Sequence, residues 1–424
     1  MHKDWKTYKL EDVSDRVTVG FVGSMAQEYI DSGVPMLRSQ NIKPFSLDFN
    51  NIKYISYEFH KKIAKSALKG GDVAIVRTGA PGTACVIPNG LAPLNCSDLV
   101  IVSPNLKHVN PYFLCFYFNS IASHYVNSQL VGAVQQHFNV GAAKKMEINL
   151  PSLVEQNLIV DILKGIGDKI ELNLQMNKTL EEMAMTLYKH WFVDFGPFQD
   201  GNFVESELGL IPEGWEVKKL YSLSSSISKG TTPTKSAVDG KDVSIKFIKV
   251  KDIDDLGSID TDTLELIPES IHLSTLKRSI LKSNDILFSI AGTIGRVAIL
   301  PESLSNSNCN QAVAFIRLDD VQNFLGYIYL WLRSSEIQYK ILASVVQGVQ
   351  ANVSLTVLRE LELLIPQKVT LDKFNRQIAE YIKLIQLNRA ENQHLKATRD
   401  LILPKLISGA VRVKDIEKTV AEVL

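Results

Sequence analysis

KIELNLQMNKTLEEMA, from Lys169 to Ala184, returns 215 positions later as LIQLNRAENQHLKATR, from Leu384 to Arg399. Extended in both directions, the first stretch gives a series in alternating steps of four and three: Ile159, Leu163, Ile166, Ile170, Asn173, Asn177, Leu180, Ala184, Leu187, Trp191. The second gives Phe374, Ile378, Tyr381, Ile385, Asn388, Asn392, Leu395, Arg399, Ile402, Leu406. A mean step of 3.5 residues marks helices that coil around a partner. The spacing predicts two long helices whose seams each span about 50 Å at 1.5 Å per residue. A seam asparagine costs stability but fixes register. If the helices run antiparallel about their midpoints, Asn173 faces Asn392 and Asn177 faces Asn388; the alternative places all four at a wet edge. Gly165 and Gly167 weaken the first helix near its start by about 1 kcal/mol each.

Outside the helices the repetition continues. Trp5 matches Trp215, and GGDVAIVRTGAPGTACV from Gly70 matches SNDILFSIAGTIGRVAI from Ser283. Asn95-Cys96 matches Asn308-Cys309, and Val134 to Asn139 matches Val349 to Ser354. The offset drifts only from 210 to 215, so the chain holds two copies of one design. The lead from Gly196 to Gly214 before Trp215 is about as long as Val411 to Leu424 plus Met1 to Asp4 before Trp5. Termini lying close together would close the design into a circle.

Within each copy the first part reads as mixed α/β. DVAIVRT from Asp72, DLVIVS from Asp98 and SIKFIKV from Ser244 are β-branched runs typical of strands. Helices are expected after Pro111 and after Asn323, and Asn139 and Ser354 are good N-caps. Pro151 and Pro366 end the two globular parts. The expected fold class is α+β: two similar mixed α/β domains, an antiparallel pair of long coiled-coil helices, and a circular pseudo-two-fold. The expected segments are residues 1–150, 151–204, 205–365 and 366–424.

Composition excludes several functions. Lys plus Arg and Asp plus Glu both number 46, so this is no wholly basic binder, although charge can segregate. By segment the balance is 15 basic against 11 acidic, 4 against 8, 16 against 20, and 11 against 7. The two helical segments thus have opposite signs. No apolar run approaches the roughly 20 residues of a membrane span. MHKDWKTYKLEDV lacks the apolar stretch of a secretion signal. Cys85, Cys96, Cys115 and Cys309 show no CxxC spacing and read as free thiols of the cytoplasm.

Catalytic signatures are incomplete. Gly240-Lys241-Asp242 lacks the upstream glycine and the hydroxyl of a phosphate-binding loop. Asn110-Pro111-Tyr112-Phe113 has one proline too few for the Asn-Pro-Pro-aromatic motif of amino-methyltransferases, and no glycine-rich cofactor loop precedes it. The eight histidines show no metal-ligand spacing. Glu216-Val217-Lys218 lacks the acidic partner of a nuclease motif. No catalytic centre, metal or cofactor is expected on this chain.

The string from Lys169 to Phe195, ending WFVDF, the string GLIPEGWEVKKL from Gly209 to Leu220, and the duplication together resemble the specificity subunit of Type I restriction–modification systems. The resemblance covers essentially the whole chain. It departs at Gly165-Ile166-Gly167, and the second copy has Leu406-Ile407-Ser408-Gly409 where the first has its aromatic tail. It implies two target-recognition domains, each reading half of a bipartite site on double-stranded DNA. It further implies helical spacers that dock two methyltransferase subunits, with restriction/translocase subunits joining through those. S-adenosylmethionine, ATP and magnesium would belong to the partners. Half-sites one duplex turn apart lie about 34 Å from each other, and seams of about 50 Å span somewhat more than that.

Arg and Lys suit guanine, and Asn and Gln suit adenine. In the first copy Arg77 and Thr78, beside the Gly79–Gly82 turn, and Gln40, Asn41 and Lys43 are therefore candidate base readers. Arg77 as a surface ion pair is an equal alternative. The second copy offers Lys249, Lys251, Ser289 and Thr293. Because that copy is acidic, Lys246, Lys249 and Lys251 are expected to gather on one face. Gln135, Gln136 and His137, with Gln350 and Asn352, recur in both copies and suit a polar junction. Two rival functions remain at this stage. A reader fused to an adenine methyltransferase would transfer methyl groups alone; a duplicated protein-binding adaptor would not purify with a methyltransferase.

Overall fold

The computed structural model describes residues 5–91, 93–121, 138–234, 238, 242–261, 263–346 and 352–415. They form two compact units, Met1–Glu171 with Asn392–Leu424, and Leu172–Glu391. This division runs through both long helices, so each unit owns one globular part and half of each helix.

In the first unit β1 (Lys6–Lys9), β2 (Ser14–Val19), β3 (Val34–Leu37), β4 (Val73–Val76), β5 (Ala84–Val86), β6 (Leu94–Cys96), β7 (Leu99–Pro104) and β8 (Glu147–Leu150) carry the design. The central sheet has the order β5-β4-β7-β2 and is antiparallel throughout. Strands β4, β5 and β7 are apolar on both faces because both faces are covered. Val73, Ile75, Val100 and Val102 face a core built with α1 (Pro111–Phe118) and with Ile159, Leu163, Ile402 and Leu406 of the long helices. Ala74, Val76, Leu99 and Ile101 face the opposite way, toward Leu37, Ile42, Leu68 and Leu94. A smaller sheet there pairs β3 parallel with β6, Met36 opposite Asn95. β1 pairs with β8 and leads the chain toward the helices.

The second unit repeats this plan with β9 (Glu216–Lys219), β10 (Ser224–Lys229), β11 (Ile245–Ile248), β12 (Ile286–Ser289), β13 (Val297–Ile299), β14 (Asn308–Cys309), β15 (Val313–Leu318) and β16 (Glu362–Ile365). The order β13-β12-β15-β10 matches the first sheet strand for strand. Ile286, Phe288, Ala314 and Ile316 face α4 (Val321–Arg333) and the helix pair, while Leu287, Val313 and Phe315 face the smaller sheet. Asn139 accepts from Ala142 N–H and caps α2 (Val140–Lys145), and Ser354 accepts from Val357 N–H and caps α5 (Leu355–Glu360).

The long helices are α3 (Leu153–Phe192) and α6 (Lys368–Ile407), 40 residues each. Gly165 and Gly167 do not interrupt α3. In the second unit Asn388 donates to Asn177 and Trp191 stacks near Phe374, so the helices run antiparallel there. In the first unit the Asn392 amide donates to the Ile170 carbonyl at 3.3 Å, and Arg412, just past α6, meets Glu155 near the start of α3. The seam drifts where the helices meet the globular parts. Tyr188 and Phe192 are buried rather than Leu187 and Trp191, which are half-buried. A straight helix turns every 3.6 residues and slides off a strict 3.5 repeat, and the adjoining aromatic core rewards the wider stripe.

The termini themselves lie outside the described residues, but the junction they frame is visible. The Trp5 ring packs edge-on to Phe113 and lies against Gly409, where a Cβ would come within 3.2 Å of it. Trp215 occupies the matching place in the second unit, against Phe192, Phe195 and Phe198.

Candidate nucleic-acid interface

In the first unit Val19 pairs with Val100 and Leu99 with Val76. The end of β2, the end of β4 and the start of β7 therefore share one end of the sheet. The loop Arg77–Thr83 projects there, and Gly79 and Gly82 take the positive φ values, 88° and 90°, that its turn requires. Arg77 does not project. Its Nη1 donates to Asp98 Oδ1 at 2.7 Å, its Nε donates to the Phe138 carbonyl at 3.2 Å, and only 14% of its side chain is exposed. The Thr78 hydroxyl donates to Asp98 Oδ2 at 2.9 Å. The ion-pair alternative for Arg77 is thus what the structure contains.

Asn41 is removed from the base-reading set. It is fully buried; its Oδ1 accepts from Arg38 N–H at 3.1 Å and its amide donates to the Asp48 carbonyl at 2.9 Å. It holds a loop shut. Asp252 does the same in the second unit, accepting from Lys249 N–H at 2.8 Å, and burial raises its carboxyl above the usual range. Ser289 is removed for the same reason. It is fully buried, donates to the Thr293 carbonyl at 2.6 Å and accepts from Arg296 N–H at 2.7 Å. Gln40, Lys43 and Thr293 are exposed; Lys43 lies 3.7 Å from Asp48.

The basic cluster expected in the acidic unit is compensated. Lys249 and Lys251 both meet Glu265, Lys251 at 3.8 Å. The Lys249 hydrogen bond holds the Glu265 carboxyl below its ordinary value. Lys246 is exposed on β11. Gln135, Gln136, His137 and Gln350 lie outside the described residues.

All four seam asparagines are inside the interface, none more than 6% exposed. The structure joins Asn177 to Asn388 directly at 2.8 Å. Asn173 donates to Glu391 Oε2 at 2.8 Å. They sit in the seam rather than at its wet edge.

Two buried ion pairs escaped sequence reading. Asp72 accepts from Arg16 Nη2 at 2.7 Å and from Ser103 Oγ at 2.6 Å. Asp285, its counterpart, accepts from Arg317 Nε and Nη2 at 2.8 and 2.6 Å. The arginine comes from β2 in one unit and from β15, the counterpart of β7, in the other. A second network holds the second unit together: Glu181 meets both Arg333 and Arg389, and Arg389 donates to the Leu256 carbonyl at 2.8 Å. Burial raises the Glu181 carboxyl, outweighing the two guanidinium groups that lower it. The four cysteines are free and buried, and burial pushes the Cys85 and Cys309 thiols up to about 12. Among the described residues no helix is long and apolar enough to cross a membrane, and no group of three or more His, Cys, Asp or Glu is placed to hold a metal.

One scaffold built twice, with different chemistry at the exposed sheet ends, defines a class: a duplicated recognition protein carried on paired helices. The chain belongs to the Type I restriction modification DNA specificity domain family, whose model matches residues 2–182 and 212–397. It is 26% identical to the Type I restriction enzyme HindI specificity subunit of Haemophilus influenzae, over 96% of this chain and 100% of that one. It is 24% identical to the MjaIX specificity subunit of Methanocaldococcus jannaschii, over 98% and 95%. The fold is similar to that of the Type-I restriction-modification S subunit from M. genitalium, with a TM-score of 0.55 at 11% identity, covering 95% of this chain and 96% of that one.

Proposed function

We propose that this chain is the DNA sequence-specificity subunit of a Type I restriction–modification complex. Residues 1–150 and 205–365 are its target-recognition domains, each reading one half of a bipartite, interrupted site on double-stranded DNA. Residues 151–204 and 366–424 are the spacers. They dock two methyltransferase subunits, through which restriction/translocase subunits join. The chain itself is non-catalytic and works in the cytoplasm; S-adenosylmethionine, ATP and magnesium are bound by its partners.

One observation carries this reading. Two units of the same strand order present different side chains at the same end of the sheet, as two readers of unlike half-sites must. Gln40, Lys43, Thr293 and Lys251 remain the exposed candidates for DNA contact, with Thr78 half-buried and bonded to Asp98. The four asparagines set helix register.

Methylation mapped across the genome of cells carrying the chain with its methyltransferase subunit tests the proposal. The expected product is an interrupted motif with methylated adenines. Replacing residues 1–150 by those of a relative should change one half of the motif and leave the other. A change in both halves, or a continuous motif, would refute it.

A further inference from the structure

The duplication is an internal control: what both units need for folding is kept, and what reads different bases must differ on a kept backbone. The kept set is plain. Asp72 and Asp285 accept from Lys69 and Lys282 N–H, and Asn95 and Asn308 meet His60 and His272. The backbone at the loop end is kept too. Gly82 and Gly295 N–H donate to the Val76 and Ser289 carbonyls, and Phe138 and Val353 N–H donate to those of Arg77 and Ile290.

Against that frame one place diverges in chemistry and in length. Between β6 and β7 the chain crosses from one sheet to the other in two residues, Ser97-Asp98; between β14 and β15 it uses three, Asn310-Gln311-Ala312. The Arg77 and Thr78 that hold Asp98 become Ile290 and Ala291.

Resting on the specificity-subunit reading, we propose that these crossings are specificity determinants, with Asp98 reading one half-site and Gln311 the other. Asp98 is suited to the task. Its side chain is 43% exposed, and Arg77 and Thr78 use two of about four acceptor directions. A bare carboxylate would be repelled by DNA; Arg77 cancels its charge and leaves acceptor directions that match the cytosine N4 amine. Gln311 is exposed, with Oε1 accepting from Thr232 N–H at 3.2 Å. That bond leaves one acceptor direction on Oε1 and both amide N–H groups, the donor–acceptor pair adenine requires.

The test compares Asp98→Asn and Gln311→Glu with the wild type, each in complex with its methyltransferase subunits, by methylation of a randomised target library. Asp98→Asn should shift preference at one base pair of one half-site by about tenfold or more, with the other half-site intact as the folding control. Gln311→Glu should do the same in the opposite half. Uniform loss of methylation with unchanged preference would show a structural role and overturn the inference. So would unchanged preference in both halves, while an interrupted wild-type motif keeps the specificity-subunit reading standing. A wild-type complex with no interrupted motif would remove both.

Discussion

Replacing Arg16 by Ser removes the guanidinium that pairs with Asp72, whose side chain is 4% exposed. The carboxylate keeps Ser103 Oγ and the Lys69 N–H at 2.9 Å but loses its countercharge. Breaking a buried pair by removing one partner costs about 3–5 kcal/mol. Arg16 is 28% exposed, so solvent reduces the loss to about 2–3 kcal/mol. For a unit of this size that is a fall in Tm of about 4–12 °C. The second unit shows how to repair the damage. Ser103 lies directly opposite Arg16 in the sheet, as Arg317 lies opposite Ser226. The double variant Arg16→Ser/Ser103→Arg gives the first unit the arrangement of the second, in which Arg317 meets Asp285 through two nitrogens. It should recover at least half of the lost stability. Thermal unfolding of the full-length chain, followed with fluorescence and calorimetry together, reads both numbers. A single variant within about 0.5 kcal/mol of wild type, the range of an ordinary surface change, or a double variant no better than the single, would refute the claim that the Asp requires an arginine from either strand.

In the spacer, Gly165→Ala and Gly167→Ala should each raise stability by about 1 kcal/mol, since an added Cβ at either position meets nothing within 4 Å; a loss in the melting curve would contradict this. Asn177→Leu alone leaves the Asn388 amide unsatisfied and should cost about 1–3 kcal/mol, whereas replacing all four seam asparagines by Leu should leave stability unchanged or higher and loosen register, read by cysteine crosslinking across the seam. Glu181 has a carboxyl raised by burial, so its ionisation works against the fold. Its stabilising protonated form is fully present below the unfolded value and is lost as pH rises through the folded one. Glu181→Gln should therefore gain on the wild type between acid and neutral pH, and a urea series showing the reverse slope would count against the burial argument. The isolated chain should bind DNA weakly with a shallow salt dependence, because Glu265 compensates Lys249 and Lys251; tight, steeply salt-dependent binding in a fluorescence titration would contradict it.

The helices and the duplication were legible because both are periodic signals. A seam of steps of four and three needs only spacing, and five matched segments need only order. What stayed hidden depends on sheet register. Aligned by position, Arg16 meets Ser226 and Ser103 meets Arg317, which reads as two unrelated mismatches. Only the pairing of β2 with β7, and of β10 with β15, shows one arginine moving across a strand pair. Polar residues beside turns misled for a related reason. Asn41 and Ser289 look available in sequence, but tight turns leave backbone groups that must be satisfied, and these side chains satisfy them.

The same logic recurs at a third place and shows what the duplication conserves. The tip that follows Asn41 packs Phe45 against Phe116 and under the Arg399 guanidinium of α6, 5.2 Å from its ring. The tip that follows Asp252 is held by Arg389 of α6, donating to the Leu256 and Gly257 carbonyls. One clasp is a cation over an aromatic ring, the other a set of charge-assisted hydrogen bonds centred on Glu181. Both fasten the equivalent tip to the same helix. Positions conserved in this way are mechanical: a contact must exist, and its chemistry can drift as long as each buried charge finds a partner. The crossings at Asp98 and Gln311 differ in another way: the side chain stays exposed in both units while its type changes along with the Arg77 and Thr78 that hold it in the first. Drift between buried partners marks support, and change at a side chain that stays exposed marks a surface open to something outside the chain. Under this rule Phe45→Leu should lower stability and leave the DNA motif untouched, whereas Asp98→Asn, which also takes the countercharge from the 14%-exposed Arg77, should change the motif as well as the stability. A Phe45 variant that altered base preference would break the distinction.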